Sequence, residues 1–326
     1  MGQWKLYGLA FAIITTLIIG GLLQSTHFCS MALFGVLVYF YYSDKTADGL
    51  KCMCINAALA LLGFILLIYC PPSIVLKSLF LAIIALLTMY TAKRLCPNPM
   101  GPFFVIMIVS LGGTMHTQAS DKLLQLFYLA SGMAISIVAA YLTQQIEQRL
   151  SHAHQVLSEN APSMPTQQAC ILSTTYGATL FITYLLNLLF PYHTYNWLTV
   201  SAVANLKESK AKLALKRYGW YILGNLTGVV FIWLIYQISN SALLLLPLSA
   251  VLFLMTAIVI NINYGLALSC ATPLAMILLD ILHPVAINKL IIIRLTSIII
   301  GSLIGLCASI LIDKQLNRIT VANGNH

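Results

Sequence analysis

KLYGLAFAIITTLIIGGLL, residues 5–23, carries one charged side chain, at its first position, and then stays apolar to its end. A helix advances about 1.5 Å per residue, so about 20 apolar residues cross the roughly 30 Å hydrocarbon core of a bilayer. The stretch therefore reads as a membrane span. It is too long for the core of a signal peptide and no small-residue cleavage pattern follows it, so it is expected to be retained as the first span.

The rest of the chain repeats that pattern. Of 326 residues, 60% are hydrophobic and 8% charged, whereas a soluble domain keeps about a quarter of its residues charged to face water. In lipid every backbone N–H and C=O must be satisfied inside its own segment, and that requirement favours helices. Twelve segments fit: 5–23, 27–42, 50–70, 73–91, 99–115, 121–143, 169–190, 195–206, 215–238, 242–260, 262–282 and 289–312. The fold class expected is all-α, a polytopic transmembrane helical bundle of about 12 spans. The segments from His27 and from Tyr195 are short, and they occupy equivalent places in the two halves of the chain.

The formal net charge of +9 is explained by topology and not by nucleic acid. With the N-terminus inside, Lys5, Lys45, Lys51, Lys93, Arg94, Arg149, Lys207, Lys210, Lys212, Lys216, Arg217, Lys314 and Arg318 fall on the cytoplasmic side, and Lys77, Lys122, Lys289 and Arg294 on or near the outer half. That bias is the positive-inside pattern. It predicts a multi-pass protein with both termini cytoplasmic. Eight cysteines are scattered without a C-x-x-C pair, so they read as small buried apolar residues and not as a metal site. No cofactor is implied.

The longest polar stretch, QQIEQRLSHAHQVLSENAPSMPTQQ, contains Pro162 and Pro165 and divides the chain nearly in half. It reads as a helical extension through Leu150 followed by a linker. The organisation expected is a first six-helix repeat over 1–143, a cytoplasmic linker over 144–168, a second repeat over 169–314 and a tail over 315–326. A shift of 165 residues lays Lys51 on Lys216 and Gly63 on Gly228; a shift of 167 lays His116 on His283 and Lys122 on Lys289. Six spans per half make the repeats parallel, an arrangement in which transporters commonly bind substrate between the halves.

YNWLTVSAVANLKESKAKLALKRYGWYILGNLTGVV (Tyr195–Val230) resembles the fusaric acid resistance and aromatic acid exporter family. Trp197, the Lys216–Arg217 pair, Gly219, Gly224 and Gly228 follow that family's order. IRLTSIIIGSLIG (Ile293–Gly305) resembles its arginine-initiated last span, and NPMGPFFVIMIVS (Asn98–Ser110) its first-half counterpart. The resemblance implies an inner-membrane exporter of small organic compounds, aromatic or acidic, driven by the proton gradient, that can work with a periplasmic adaptor protein. Two departures stand out. The linker is too short for the cytoplasmic domain of many relatives, and Ala32 stands where the 165-residue shift would put a first-half tryptophan. The first half therefore reads as withdrawn from substrate contact.

Asp280 is the carboxylate well inside a predicted span, where a charge costs roughly 2.5 kcal/mol or more on insertion scales and so pairs or lines a wet path. It is a candidate proton carrier, against a structural pair with Arg294. Arg294, which matches the family's arginine, could grip an anionic substrate bidentately or neutralise Asp280. His283 follows Asp280 by three residues, on one face if the helix continues, and His116 is its repeat partner. Trp197 reads as an interfacial anchor or a stacking platform. Lys207, Lys210, Lys212, Lys216 and Arg217 read as a cytoplasmic basic segment that reaches for lipid headgroups, or that draws in anionic substrate. Gly301 and Gly305 form a G-x-x-x-G suited to close helix packing, within the fold or in a homo-oligomer. The partners expected are thus membrane lipids and a small-molecule substrate.

There is no P-loop, so active transport would draw on an ion gradient. Two other readings stand beside the exporter. An intramembrane lipid-modifying enzyme would want a nucleophile and base, or several acidic metal ligands, at one depth. One Asp with one His supports it thinly, and the chain is expected not to be an enzyme. A non-transporting membrane scaffold would tolerate loss of both Asp280 and Arg294.

Overall fold

Each of the twelve apolar segments holds one helix in the computed structural model, which describes residues 3–43, 48–96, 101–115, 119–150, 164–189, 196–206, 211–260 and 262–324, with backbone alone at 119–120, 150, 211–214 and 316–324. In chain order these are α1 (Gln3–Leu22), α2 (Thr26–Val36, continued by a 3-10 turn over Leu37–Tyr41), α3 (Gly49–Ile68), α4 (Ile74–Arg94), α5 (Phe103–Thr114), α6 (Ala119–Leu150), α7 (Thr166–Leu189), α8 (Trp197–Asn205), α9 (Ala211–Ile238), α10 (Ala242–Val259), α11 (Tyr264–Leu282) and α12 (Ile287–Gly324). The described residues contain no strand. The extension of α6 through Leu150 is as expected from the sequence.

Nine of these helices are long and apolar enough to cross a membrane. The other three, α2, α5 and α8, are shorter. Nine residues of α8 advance about 14 Å, roughly half the hydrocarbon thickness. Local signals cut them short. Gln24 takes a left-handed φ of 49° just before α2, and Gly101, at φ 58° beside Pro102, precedes α5. Where side chains cap the helices they do so in the expected way: Ser25 Oγ accepts from Phe28 N at 3.1 Å, and Asn263 Oδ1 accepts from Gly265 N at 2.9 Å. Asn263 is thus the N-cap of α11, which starts at Tyr264.

The chain forms two compact units. The first takes residues 1–61, 117–160 and 223–292, and the second takes 62–116, 161–222 and 293–326. Helices α3, α9 and α12 contribute to both.

In the first unit α1, α2 and α6 pack together, and α11 and α10 lie against α2. The central contact is α2 on α6. A Cβ added at Gly132 would strike the carbonyl of Ala32, and one at Gly35 would strike the backbone of Leu129 and Met133. The two backbones touch, which only glycine permits. Ser30 Oγ then donates to the Leu278 carbonyl on α11 at 2.6 Å. Gly224 and Gly228 bring α9 equally close to α11, against Gly265 and Thr272, and Thr272 Oγ1 donates to Asn225 Oδ1 at 2.8 Å.

In the second unit α4 packs along α7, and α8 lies against α5 and α7. Here α12 carries the close contact. A Cβ at Gly301 would strike the Leu198 carbonyl, and one at Gly305 the Ala202 carbonyl, both on α8. The G-x-x-x-G therefore works as packing inside the unit. Ser309 Oγ donates to the Asn205 carbonyl at 2.8 Å, closing the last turn of α8 onto α12.

Of the cysteines, Cys29, Cys54, Cys70, Cys170, Cys270 and Cys307 are free. The expectation of isolated thiols fails for Cys52 and Cys96, which are in disulfide form.

Candidate functional site

Arg294 lies on α12, two turns after its start, and only 5% of its surface is exposed. Its guanidinium sits over the ring of Trp197, 5.2 Å from the centroid. A buried guanidinium on an indole face gains a cation–π attraction of about 2 kcal/mol. Tyr221 on α9 hydrogen-bonds Arg294, and the Tyr221 hydroxyl donates to Ser201 Oγ on α8 at 2.9 Å. Trp197 and Ser201 are four residues apart on α8, so one helical face presents both.

α8 holds this face in place because both of its ends are tied. At its start Asn196, 2% exposed, donates from Nδ2 to the Met107 carbonyl at 2.9 Å and to Ser110 Oγ at 2.5 Å, both on α5. Tyr184 on α7 donates to the Ser110 carbonyl at 3.1 Å. At its end Arg217 Nε donates to the Ala204 carbonyl at 2.9 Å. A cation on the last turn of a helix satisfies a carbonyl that has no partner within the helix and complements the dipole. Arg217 thus has a structural task. Lys216 beside it is exposed, Lys212 is described by its backbone alone, and Lys207 and Lys210 lie outside the described residues.

Of the two sequence readings of Trp197, its burial favours the stacking platform. It is 2% exposed, so it serves as the platform under Arg294 and not as an anchor at the lipid surface.

Asp280 occupies the other unit. Its Oδ2 accepts from the Tyr236 hydroxyl at 2.6 Å, and its Oδ1 accepts from the Val285 backbone N–H at 3.1 Å. Both oxygens are engaged. The carboxylate clips the turn after α11 to α11 itself and to the end of α9. His283 does not share a helical face with Asp280, because α11 ends at Leu282 and His283 is its C-cap at φ −141° and ψ 83°. The cause is Pro284, whose ring disfavours helical backbone at the residue before it. His116 lies outside the described residues. No group of three or more potential metal ligands occurs among the described residues.

Tyr221, Ser201 and Tyr236 were not singled out in the sequence. A tyrosine in a long apolar helix looks like any aromatic packing residue until its hydroxyl is seen to reach a charge. The available signal was that Tyr221 lies inside the stretch that resembles a family, four residues beyond Arg217.

Residues 173–308 match the family described as Fusaric acid resistance protein-like. That stretch, which runs from within α7 through α8, α9, α10 and α11 into α12, is similar to the family, in agreement with the resemblance read from its residues. Comparison with curated proteins gives no match, and comparison with solved structures gives none. The class is therefore a multi-pass membrane protein with a fusaric acid resistance-like second half.

Proposed function

We propose that this chain is a secondary transporter of a bacterial inner membrane that exports small organic acids, aromatic ones among them, on the proton gradient. The observation that carries the reading is Arg294: a guanidinium 5% exposed on an apolar helix, stacked on Trp197 and tied to Tyr221, inside the family-matched stretch. Burying a charge in a membrane helix is costly, and such residues mark substrate and ion paths. An arginine held in this way suits a carboxylate, and an indole beside it suits an aromatic ring.

The bias of Lys and Arg toward one set of loops supports an orientation with both termini cytoplasmic. Two parallel six-helix repeats are supported by the make-up of the units. The first contains α1, α2, α6, α10 and α11 with the start of α3, the end of α9 and the first turns of α12; the second contains α7, α8, the rest of α12, α4 and α5 with the end of α3 and the start of α9. Apart from those first turns of α12, advancing each helix of the first unit by six places around the twelve gives the second.

Asp280 supplies the proton step. Protonating its carboxylate leaves Oδ1 an uncharged acceptor, which weakens the charge-assisted bond from Val285 N–H and loosens the turn after α11. No chemical step on the substrate is assigned to the chain, and membrane lipids and the exported acid are its partners.

The test is accumulation of labelled aromatic acids in cells expressing wild type, Arg294→Gln or Asp280→Asn at matched membrane levels, with and without a protonophore. Lower accumulation in wild type, abolished by the protonophore and by either substitution, is the expected result. Accumulation equal to that of vector cells for every acid would overturn the reading.

A further inference from the structure

The start of α8 is built differently from an ordinary helix start. The first N–H groups of any helix have no partner within it, and a side chain at the N-cap normally takes one of them. At α8 the N-cap residue is Asn196, and it makes no side-chain cap bond. Its amide is turned away, donating to the Met107 carbonyl and to Ser110 Oγ. The end is also buried, with Asn196, Trp197 and Thr199 at 2%, 2% and 0% exposure.

A second observation falls in the same turn. The Thr199 hydroxyl is buried and has no hydrogen-bond partner. A buried hydroxyl left without a partner is a liability of about 1–3 kcal/mol. Valine would fill the same volume without that cost. Thr199 is the third residue of the helix, and side chains on a helix lean toward its N-terminus, so the hydroxyl leans toward the first N–H groups, which the Asn196 side chain leaves to other partners. At this same end Arg294 is stacked on Trp197, the first residue of α8.

The geometry points to the first turn of α8 as the carboxylate subsite of the transported acid, an inference that rests on the exporter reading above. One carboxylate oxygen takes the backbone N–H of Leu198 or Thr199 together with the Thr199 hydroxyl. The helix dipole and the Arg294 guanidinium supply positive potential. Neutral aromatic amides lack the charge that this end of the helix favours, so the site selects acids over their amides.

The experiment uses the full-length protein in lipid nanodiscs with benzoate as the probe, benzamide as its neutral counterpart, and Thr199→Val as the variant. Calorimetric titration should show benzoate binding to wild type, about tenfold weaker binding to Thr199→Val, as for loss of one hydrogen bond to a charged group, and no benzamide binding. Without ligand, Thr199→Val should melt at or above the wild-type temperature, which separates lost binding from lost folding. Equal benzoate affinity in both proteins, equal affinity for benzamide, or no benzoate binding to wild type at millimolar concentration would each overturn the subsite. Cell accumulation of benzoate separates this from the wider reading. Export by wild type and Thr199→Val alike removes the subsite and leaves the exporter. Binding that depends on Thr199 without export by wild type removes the exporter and leaves the subsite.

Discussion

α2 and α8 are the short helices at the centre of their units, and each lies backbone to backbone on a long helix. Gly132 of α6 meets the Ala32 carbonyl, and Gly301 of α12 meets the Leu198 carbonyl. Each also reaches a neighbour from its first residues, Ser30 to α11 and Asn196 to α5. Their starts then diverge. α2 is capped by Ser25, and its Phe28 ring stacks edge-on with Tyr128 of α6 at 5.1 Å. α8 is uncapped, and its Trp197 carries Arg294 of α12. One frame closes with a cap and an aromatic pair; the other places a buried cation beside a helix start whose N-cap amide is turned to α5. Glycine contacts set the frame, and a few polar residues at one helix start set what it can bind.

If the frame is shared, the glycines should be equally indispensable. Gly132→Ile and Gly301→Ile each force a branched side chain into a backbone carbonyl, and each should cost about 3 kcal/mol or more. Thermal melting in detergent should show both variants collapsed or poorly expressed. Tolerance of one and not the other would break the likeness between the units.

Function should separate where stability does not. Arg294→Gln should lower export by about tenfold or more, the scale of a lost charge-assisted contact. Tyr128→Phe keeps the ring pair on α2 and should leave export within about twofold of wild type. Initial efflux rates at matched expression check both. Equal losses would mean that the first unit also touches substrate.

The ends of α11 and α5 give a third contrast. Asp280 closes the first through Tyr236 and Val285, while Lys77 Nζ closes the second by donating to the Gly113 carbonyl at 2.8 Å. Asp280→Asn and Lys77→Met should each cost about 1–3 kcal/mol of stability. Only Asp280→Asn should abolish the protonophore-sensitive export, because Asn cannot take up the proton. Loss of that export in Lys77→Met would assign coupling to the frame and not to the carboxylate.

How much of this was legible in the sequence depends on the kind of signal. All twelve helices were, because an apolar run bounded by charge or proline determines a helix in lipid. Arg294, Asp280 and Trp197 stood out because charge and indole are rare in such runs. The surroundings of each were not legible. Whether Trp197 faces lipid or an arginine depends on where α12 crosses α8, which Gly301 decides from a hundred residues away in the chain. The one-face pairing of His283 with Asp280 was a local question, and it failed because Pro284 ends the helix first. Thr199 offered no sequence signal, since a threonine in a membrane helix normally donates to its own backbone, as Thr88, Thr143 and Thr183 do here.

The smallest effect tests whether the first unit is structural throughout. Ser30→Ala removes one hydrogen bond, to the Leu278 carbonyl, from a group that also lies within reach of its own helix ladder. The cost should be about 1 kcal/mol, and export should be unchanged. Asn196→Ala removes two bonds to α5 and loosens the start of α8. It should cost about twice as much stability and should also weaken export, since the uncapped end depends on that anchor. Melting temperature and efflux rate measured on the same two variants separate the outcomes. Unchanged export in Asn196→Ala would mean that the position of α8 matters only for packing, and the two short helices would then be alike in role as well as in frame.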